Sequence, residues 1–205
     1  MAHRAVIFDL GGVVLGSPLH AIAALERDLA MPAGFVNRVV VTTGPTGAWS
    51  RLERGELGLE AFYEAFDVDC AAAGRPIARE LMVRVGEAAA PRSVMLEAIS
   101  RIRSRGLLTA ALTNNWVTKD DGAAVLRPYF DVYVESATEG VRKPDPRIYR
   151  IACDRLGIEP ADAIFLDDIG ANLKAARALG MTTIRVQEPE AALDELAAML
   201  GFELR

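Results

Sequence analysis

Apolar residues follow two rhythms along the chain. Short apolar-rich runs lie at Ala5 to Phe8, Leu107 to Leu112, Asp131 to Glu135, Ala163 to Leu166 and Thr182 to Val186, with the length of buried strands. Between the later runs, helical segments are predicted at Ser93 to Arg105, Asp120 to Leu126, Asn172 to Leu179 and Glu190 to Leu200. A further helix starts at Asp145-Pro146, with Asp as cap and Pro at the first helical position, and ends at Leu156-Gly157. This alternation of strand and helix predicts an α/β fold: a parallel sheet with helices on both faces.

Leu19 to about Ala90 breaks the alternation. Ile22, Leu25, Glu26 and Leu29 have helical spacing, Phe62 and Phe66 form an i, i+4 pair, and Pro76 opens a stretch through Leu81 and Val85. About four helices are expected, two of them separated by the turn Gly44-Pro45-Thr46-Gly47. The organisation read from this is a core of residues 1–15 and 91–205 and an all-helical cap of residues 16–90, set at the strand ends as a lid.

The composition narrows the function. With 205 residues, 51% hydrophobic, and a mean hydropathy of +0.18, the chain is globular rather than disordered. No apolar run approaches the ~20 residues that span a bilayer. Met1-Ala2-His3-Arg4 leads straight into a strand, without the apolar stretch of a secretory signal. Cys70 and Cys153 lie far apart in no metal-binding pattern and read as reduced helix residues, so a cytoplasmic location is expected. A net charge of −5 gives no reason to expect nucleic acid or an anionic membrane as partner.

Four short sequences carry the candidate chemistry: Asp9-Leu10-Gly11-Gly12-Val13, Thr113-Asn114-Asn115, Arg142-Lys143-Pro144 and Asp167-Asp168. Three of them follow predicted strands, at the sheet edge where ligands bind in open α/β folds. Asp9 can attack phosphorus and form an aspartyl-phosphate. Asp9 with one or both of Asp167 and Asp168 meets the need of Mg²⁺ for oxygen ligands, with Asn172 placed to orient them. Thr113 offers a hydroxyl to a phosphate oxygen, and Lys143 offers a charge to the phosphate and the nucleophile. Each has a plainer reading alone: a turn-capping aspartate, a helix N-terminal acidic pair, a strand-end threonine, a solvated loop lysine.

Taken together, these motifs resemble the haloacid dehalogenase-like hydrolase superfamily, over nearly the whole chain. Val141 through Tyr149 and Phe165 through Arg177 are similar to the N-terminal phosphatase domain of soluble epoxide hydrolase. Leu112 through Trp116 and Trp49 through Glu56 also fit that branch and the related domain fused to some acyl-CoA dehydrogenases. The resemblance implies a Rossmann-like core, a helical cap and Mg²⁺-dependent phosphatase chemistry on a small phosphorylated substrate. It implies Asp9 as nucleophile, Thr113, Asn114 and Lys143 on the substrate, and Asp9, the Gly11 carbonyl, Asp167 and Asp168 on the metal.

One departure stands out. The phosphatase pattern is Asp-x-Asp, and its second Asp, the general acid/base, is here Gly11. Such help is worth ~10²–10⁴-fold, and His20 is a candidate substitute. The departure keeps open a non-catalytic binding or regulatory protein; a dehalogenase, which needs no metal, would leave Asp167-Asp168 with little purpose. Trp49, Arg51 and Arg54 are candidates for a site-facing cap surface.

Overall fold

A computed structural model describes residues 3–118 and 125–205. The elements run β1 (Ala5–Phe8), α1 (Pro18–Asp28), α2 (Phe35–Thr43), α3 (Ala48–Glu53), α4 (Leu59–Asp69), α5 (Ala78–Glu87), α6 (Ser93–Ser104), β2 (Leu108–Thr113), β3 (Val132–Glu135), α7 (Ser136–Glu139), α8 (Pro146–Leu156), β4 (Ala163–Asp167), α9 (Gly170–Ala178), β5 (Thr182–Arg185) and α10 (Pro189–Leu200). The helix expected from Asp120 to Leu126 falls largely outside the described residues.

The five strands form one parallel sheet in the order β3-β2-β1-β4-β5. Its side chains alternate between two apolar layers, as a period of two requires. Val6, Phe8, Ala111, Ile164 and Leu166 meet Met95, Ile99 and Ile102 of α6 and Leu193 and Leu196 of α10. Ala5, Ile7, Ala110, Leu112 and Phe165 meet Ile148, Tyr149 and Ala152 of α8 and Leu173 and Ala176 of α9. Burial on both faces is why these strands read as unbroken apolar runs.

The chain leaves β1 toward β2 and β3 on one side, then returns to lay β4 on the other side of β1. This puts the topological switch point between β1 and β4, where ligands bind in such sheets.

Helices α1–α5 enclose a third apolar cluster, with Leu25, Leu52, Phe62, Phe66, Leu81 and Val85 at its centre. Among the described residues this segment holds five helices rather than the four expected. The shortest is α3, six residues long, which follows the turn at Gly44-Pro45-Thr46-Gly47; its first amide, at Ala48, is capped by Asp69 (2.9 Å). Asp67 caps α5 in the same way, accepting from the amides of Ile77 and Ala78 (2.7 and 2.8 Å). The two chain passages joining this segment to the sheet lie side by side, bridging Leu15 to Pro91, with Gly16 N–H donating to the Ala90 carbonyl (3.0 Å). A side chain at Gly16 would stand 2.0 Å from the Ala88 carbonyl, so the stem admits only glycine there. No helix among the described residues is long and apolar enough to cross a membrane.

Candidate active site

β1 ends at Phe8 and pairs it with Leu166 of β4, so Asp9 and Asp167 leave the sheet side by side. The Asp9 amide donates to the Leu166 carbonyl (2.9 Å). The other pairing of β1, Phe8 with Ala111, brings Thr113 to the same edge. Gly12 then turns the chain through φ +81°, and a side chain there would meet the Asp168 carboxylate at 2.3 Å. Gly11 has an ordinary backbone (φ −63°, ψ 123°), so the left-handed turn belongs to Gly12 alone.

Lys143 lies between the two strand-end carboxylates. Its ammonium is 2.8 Å from Asp9 Oδ1 and donates to Asp167 Oδ2 (2.7 Å). All three side chains are buried: Asp9 is 6% exposed, Lys143 1% and Asp167 0%. Asp167 Oδ1 also accepts from the Ile169 amide (2.8 Å), and Asn172 Nδ2 donates to both Asp167 oxygens (3.1 and 3.0 Å), the orienting part expected of it. Asn172 is tied down by Tyr149, whose hydroxyl donates to its carbonyl (3.0 Å).

Asp9, Asp167 and Asp168 each bring an oxygen within 4.8 Å of the others. Three carboxylates thus lie close to one ammonium, and the protonation of Asp9 and Asp168 is shifted. Burial pushes Asp9 up; Lys143 opposes this, Asp167 and Asp168 add to it, and the result is about 8. Asp168 is raised to about 6 by burial and by Asp167. Burial pulls Lys143 down, but Asp167 and Asp9 more than offset this and hold it above its usual range. A divalent cation among the three carboxylates would restore charge balance, and hard oxygen donors at this spacing suit Mg²⁺.

The remaining predicted residues divide. Thr113 is 5% exposed and, with Gly11 and Asn114, lines a cavity of about 580 Å³. Asn114 has its side-chain amide engaged by the Lys143 backbone: Nδ2 donates to the Lys143 carbonyl (3.1 Å) and Oδ1 accepts from the Lys143 amide (2.8 Å). His20 is exposed on α1 and does not line the cavity. Arg54 is bound to Glu56 (2.6 Å) and to the Pro45 carbonyl (2.8 Å), with Arg51 3.6 Å from Glu56, and neither arginine lines the cavity. Trp49 points into its own helical cluster, against Phe62 and Phe66.

Sequence reasoning gave no part to Glu53, Arg142 or Trp116. Glu53, 7% exposed, lies 2.7 Å from Arg142 Nε, and Trp116 meets Trp49 edge-on at 6.4 Å between centroids. Their signals were weak: Arg142 adjoins Lys143 in a motif, but its partners lie some 90 positions away.

The chain is thus an α/β protein with two aspartates at the switch point of a parallel sheet, bridged by a buried lysine. The family model for haloacid dehalogenase-like hydrolases matches residues 3–180, and the chain belongs to that family. It is 42% identical over 99% of its length to acyl-CoA dehydrogenase family member 10 of Mus musculus, and 36% identical over 100% to bifunctional epoxide hydrolase 2 of Sus scrofa. The chain spans 20% and 40% of the length of these two relatives. A sesquiterpene phosphatase of Aspergillus oryzae is 26% identical, over 97% of both chains. Among solved structures, a HAD family enzyme of Bacteroides thetaiotaomicron, in complex with magnesium and inorganic phosphate, has the same fold, with a TM-score of 0.65 at 17% identity over 91% of this chain and 95% of that one.

Proposed function

We propose that this hydrolase is a Mg²⁺-dependent phosphatase that works through an aspartyl-phosphate on Asp9. The observation that carries the reading is the uncompensated cluster of Asp9, Asp167 and Asp168 around Lys143 at the end of β1 and β4. Asp9, Asp167, Asp168 and the Gly11 carbonyl would hold the cation. When bound, Mg²⁺ supplies positive charge that keeps Asp9 ionised and screens the incoming phosphate. Asp9 attacks phosphorus, the ester bond breaks, and the leaving oxygen departs as alkoxide with the bonding electron pair and takes its proton from water. Water then releases phosphate and returns the Asp9 carboxylate. Lys143 and Thr113 bind the phosphoryl oxygens, and Asn114 holds the Lys143 backbone in place. The magnesium and phosphate complex of the Bacteroides structure and the Aspergillus relative, a sesquiterpene phosphatase, support this reading.

The cavity beside Gly11 and Thr113 has mostly apolar walls, among them Leu15, Pro18, Val85, Trp116 and Leu126. It suits a leaving alcohol with an apolar body, and the helices of residues 16–90 act as the cap that closes over it. Assay with Mg²⁺ against monoesters of apolar alcohols and of sugars is the test. The expected result is hydrolysis of the apolar set, lost on chelation. Turnover that persists in EDTA would overturn the reading.

The lack of an acid at Gly11 favours one second reading, a binding protein with weak or no turnover. A stable complex with inorganic phosphate and Mg²⁺, without hydrolysis of any ester in the set, would select it.

A further inference from the structure

Helix α3 and the turn after it meet the sheet edge at three points, two on loops and one on α7. Arg142 meets two residues of α3: Nη1 donates to Ser50 Oγ (2.7 Å), and Nε forms an ion pair with Glu53 Oε2 at 2.7 Å, without the alignment of a hydrogen bond. The other oxygen of Glu53 accepts from Trp49 Nε1 (3.0 Å). Beside this pair, Trp49 packs edge-on to Trp116, three residues beyond Thr113. Just past α3, Gly55 (φ +68°) lies so close to α7 that a side chain would stand 2.3 Å from the Ala137 carbonyl. Arg142 is the residue before Lys143, and the Lys143 backbone is clamped by Asn114.

We infer that Glu53 is a positioning residue: through Arg142 it fixes the segment that carries Lys143, and so couples the docking of α3 to the aim of the lysine at Asp9. The planar fork of arginine sets direction as well as charge, and lysine does not replace it. Removing one partner leaves a desolvated charge unpaired, so the segment relaxes rather than stays. The catalytic part of this inference rests on the phosphatase reading; the mechanical part does not.

The test uses Glu53→Gln, Arg142→Lys and the double variant, with p-nitrophenyl phosphate and Mg²⁺ as probe. Each single variant is expected to lower kcat about tenfold or more, with KM moved less than about twofold, because misplacement of a binding group by ~1 Å can cost 10²-fold. The double variant is expected to be no worse than the poorer single within about twofold, since the two residues act as one unit. Amide exchange at Lys143 and Asp145, protected in the parent by the Lys143 bond to Asn114 and the Asp145 bond to Arg142 (2.9 Å), is expected to quicken. The chain's two tryptophans, Trp49 and Trp116, both sit at this seam, so their emission is expected to shift to the red.

Asp67→Ala, which removes the cap on α5 without touching α3, is the control for a purely structural loss; its kcat is expected to stay at the parental value. An unchanged kcat in Glu53→Gln, losses that multiply in the double variant, or an equal fall in the control would overturn the inference. If the parent protein does not hydrolyse the probe, the phosphatase reading fails. Exchange and emission then decide the coupling: loss of protection in Glu53→Gln supports it, and unchanged protection overturns it.

Discussion

Two groups of buried charges lie within a few residues of each other, and they are built differently. Around Lys143, three carboxylates face one ammonium, and Asp9 is pushed up to about 8. Around Arg142, one carboxylate faces one guanidinium; burial raises Glu53 and Arg142 opposes it. The second group is closed in charge: one carboxylate meets one guanidinium as an ion pair, with the other Glu53 oxygen bonded to Trp49 and Arg142 Nη1 to Ser50. The first is open: it holds more negative charge than the protein neutralises, at the edge of a sheet and beside a cavity. An excess of buried charge is costly to keep unless something from outside compensates it. The contrast separates a site made to take up a cation from a pair made to hold two elements together.

Substitutions can break the contrast, and the largest effect is expected at the nucleophile. Asp9→Asn should bring turnover to background while the circular dichroism spectrum stays native, since the change is nearly isosteric and removes the attacking charge, which also pairs with Lys143. A retained fraction of activity would end the assignment of Asp9.

Asp167→Asn comes next. It removes a proposed metal oxygen and a partner of Lys143, so activity should fall by two orders of magnitude or more, with partial recovery at raised Mg²⁺. No dependence on Mg²⁺ concentration in either protein would count against a cation site.

At the third level is the missing acid at Gly11. The backbone at Gly11 admits an aspartate, but its first side-chain carbon would stand 3.1 Å from Pro18 Cγ. The kcat/KM of the parent should fall steeply as the leaving-group pKa rises, because no acid protonates the poorer alkoxides. Gly11→Asp alone should flatten that slope little, whereas Gly11→Asp with Pro18→Ala, which removes the ring, should flatten it more. A flat slope in the parent would mean that another group, or the substrate, supplies the proton.

The smallest effect is a dependence on pH. Asp9 titrates near 3.8 when unfolded and at about 8 when folded, so between these values the folded chain binds more protons. The stability of the metal-free protein therefore falls as pH rises from about 5 to 8. Mg²⁺ competes with the same proton, so the rise in Tm that it gives should be larger at pH 8 than at pH 6. Equal shifts at both values would indicate that the ion binds elsewhere.

The open group was far more legible in the sequence than the closed one. Asp9, Thr113 and Asp167 end buried parallel strands, whose apolar runs stop where the polar chemistry starts, so spacing alone marks them. Asp145 announced its helix because cap and proline are adjacent in the chain, and its side chain does accept from the Arg147 amide (2.9 Å). The closed group depends on contacts between distant parts of the chain: Ser50 is 92 positions from Arg142, and Asp69 is 21 positions from the amide it caps on α3. No local pattern records such a pairing. Gly11 shows the same limit: the chain shows that a side chain is missing, but only the fold shows Pro18 beside the space it would occupy.

The most direct measurement of the central claim is acid-quenched turnover of a phosphomonoester, followed by peptide mapping of the protein. The account predicts a phosphoryl group on the peptide that contains Asp9, formed with Mg²⁺ and absent in EDTA and in Asp9→Asn. Turnover with no phosphoryl group on that peptide at any quench time, or the same labelling with and without Mg²⁺, would contradict it.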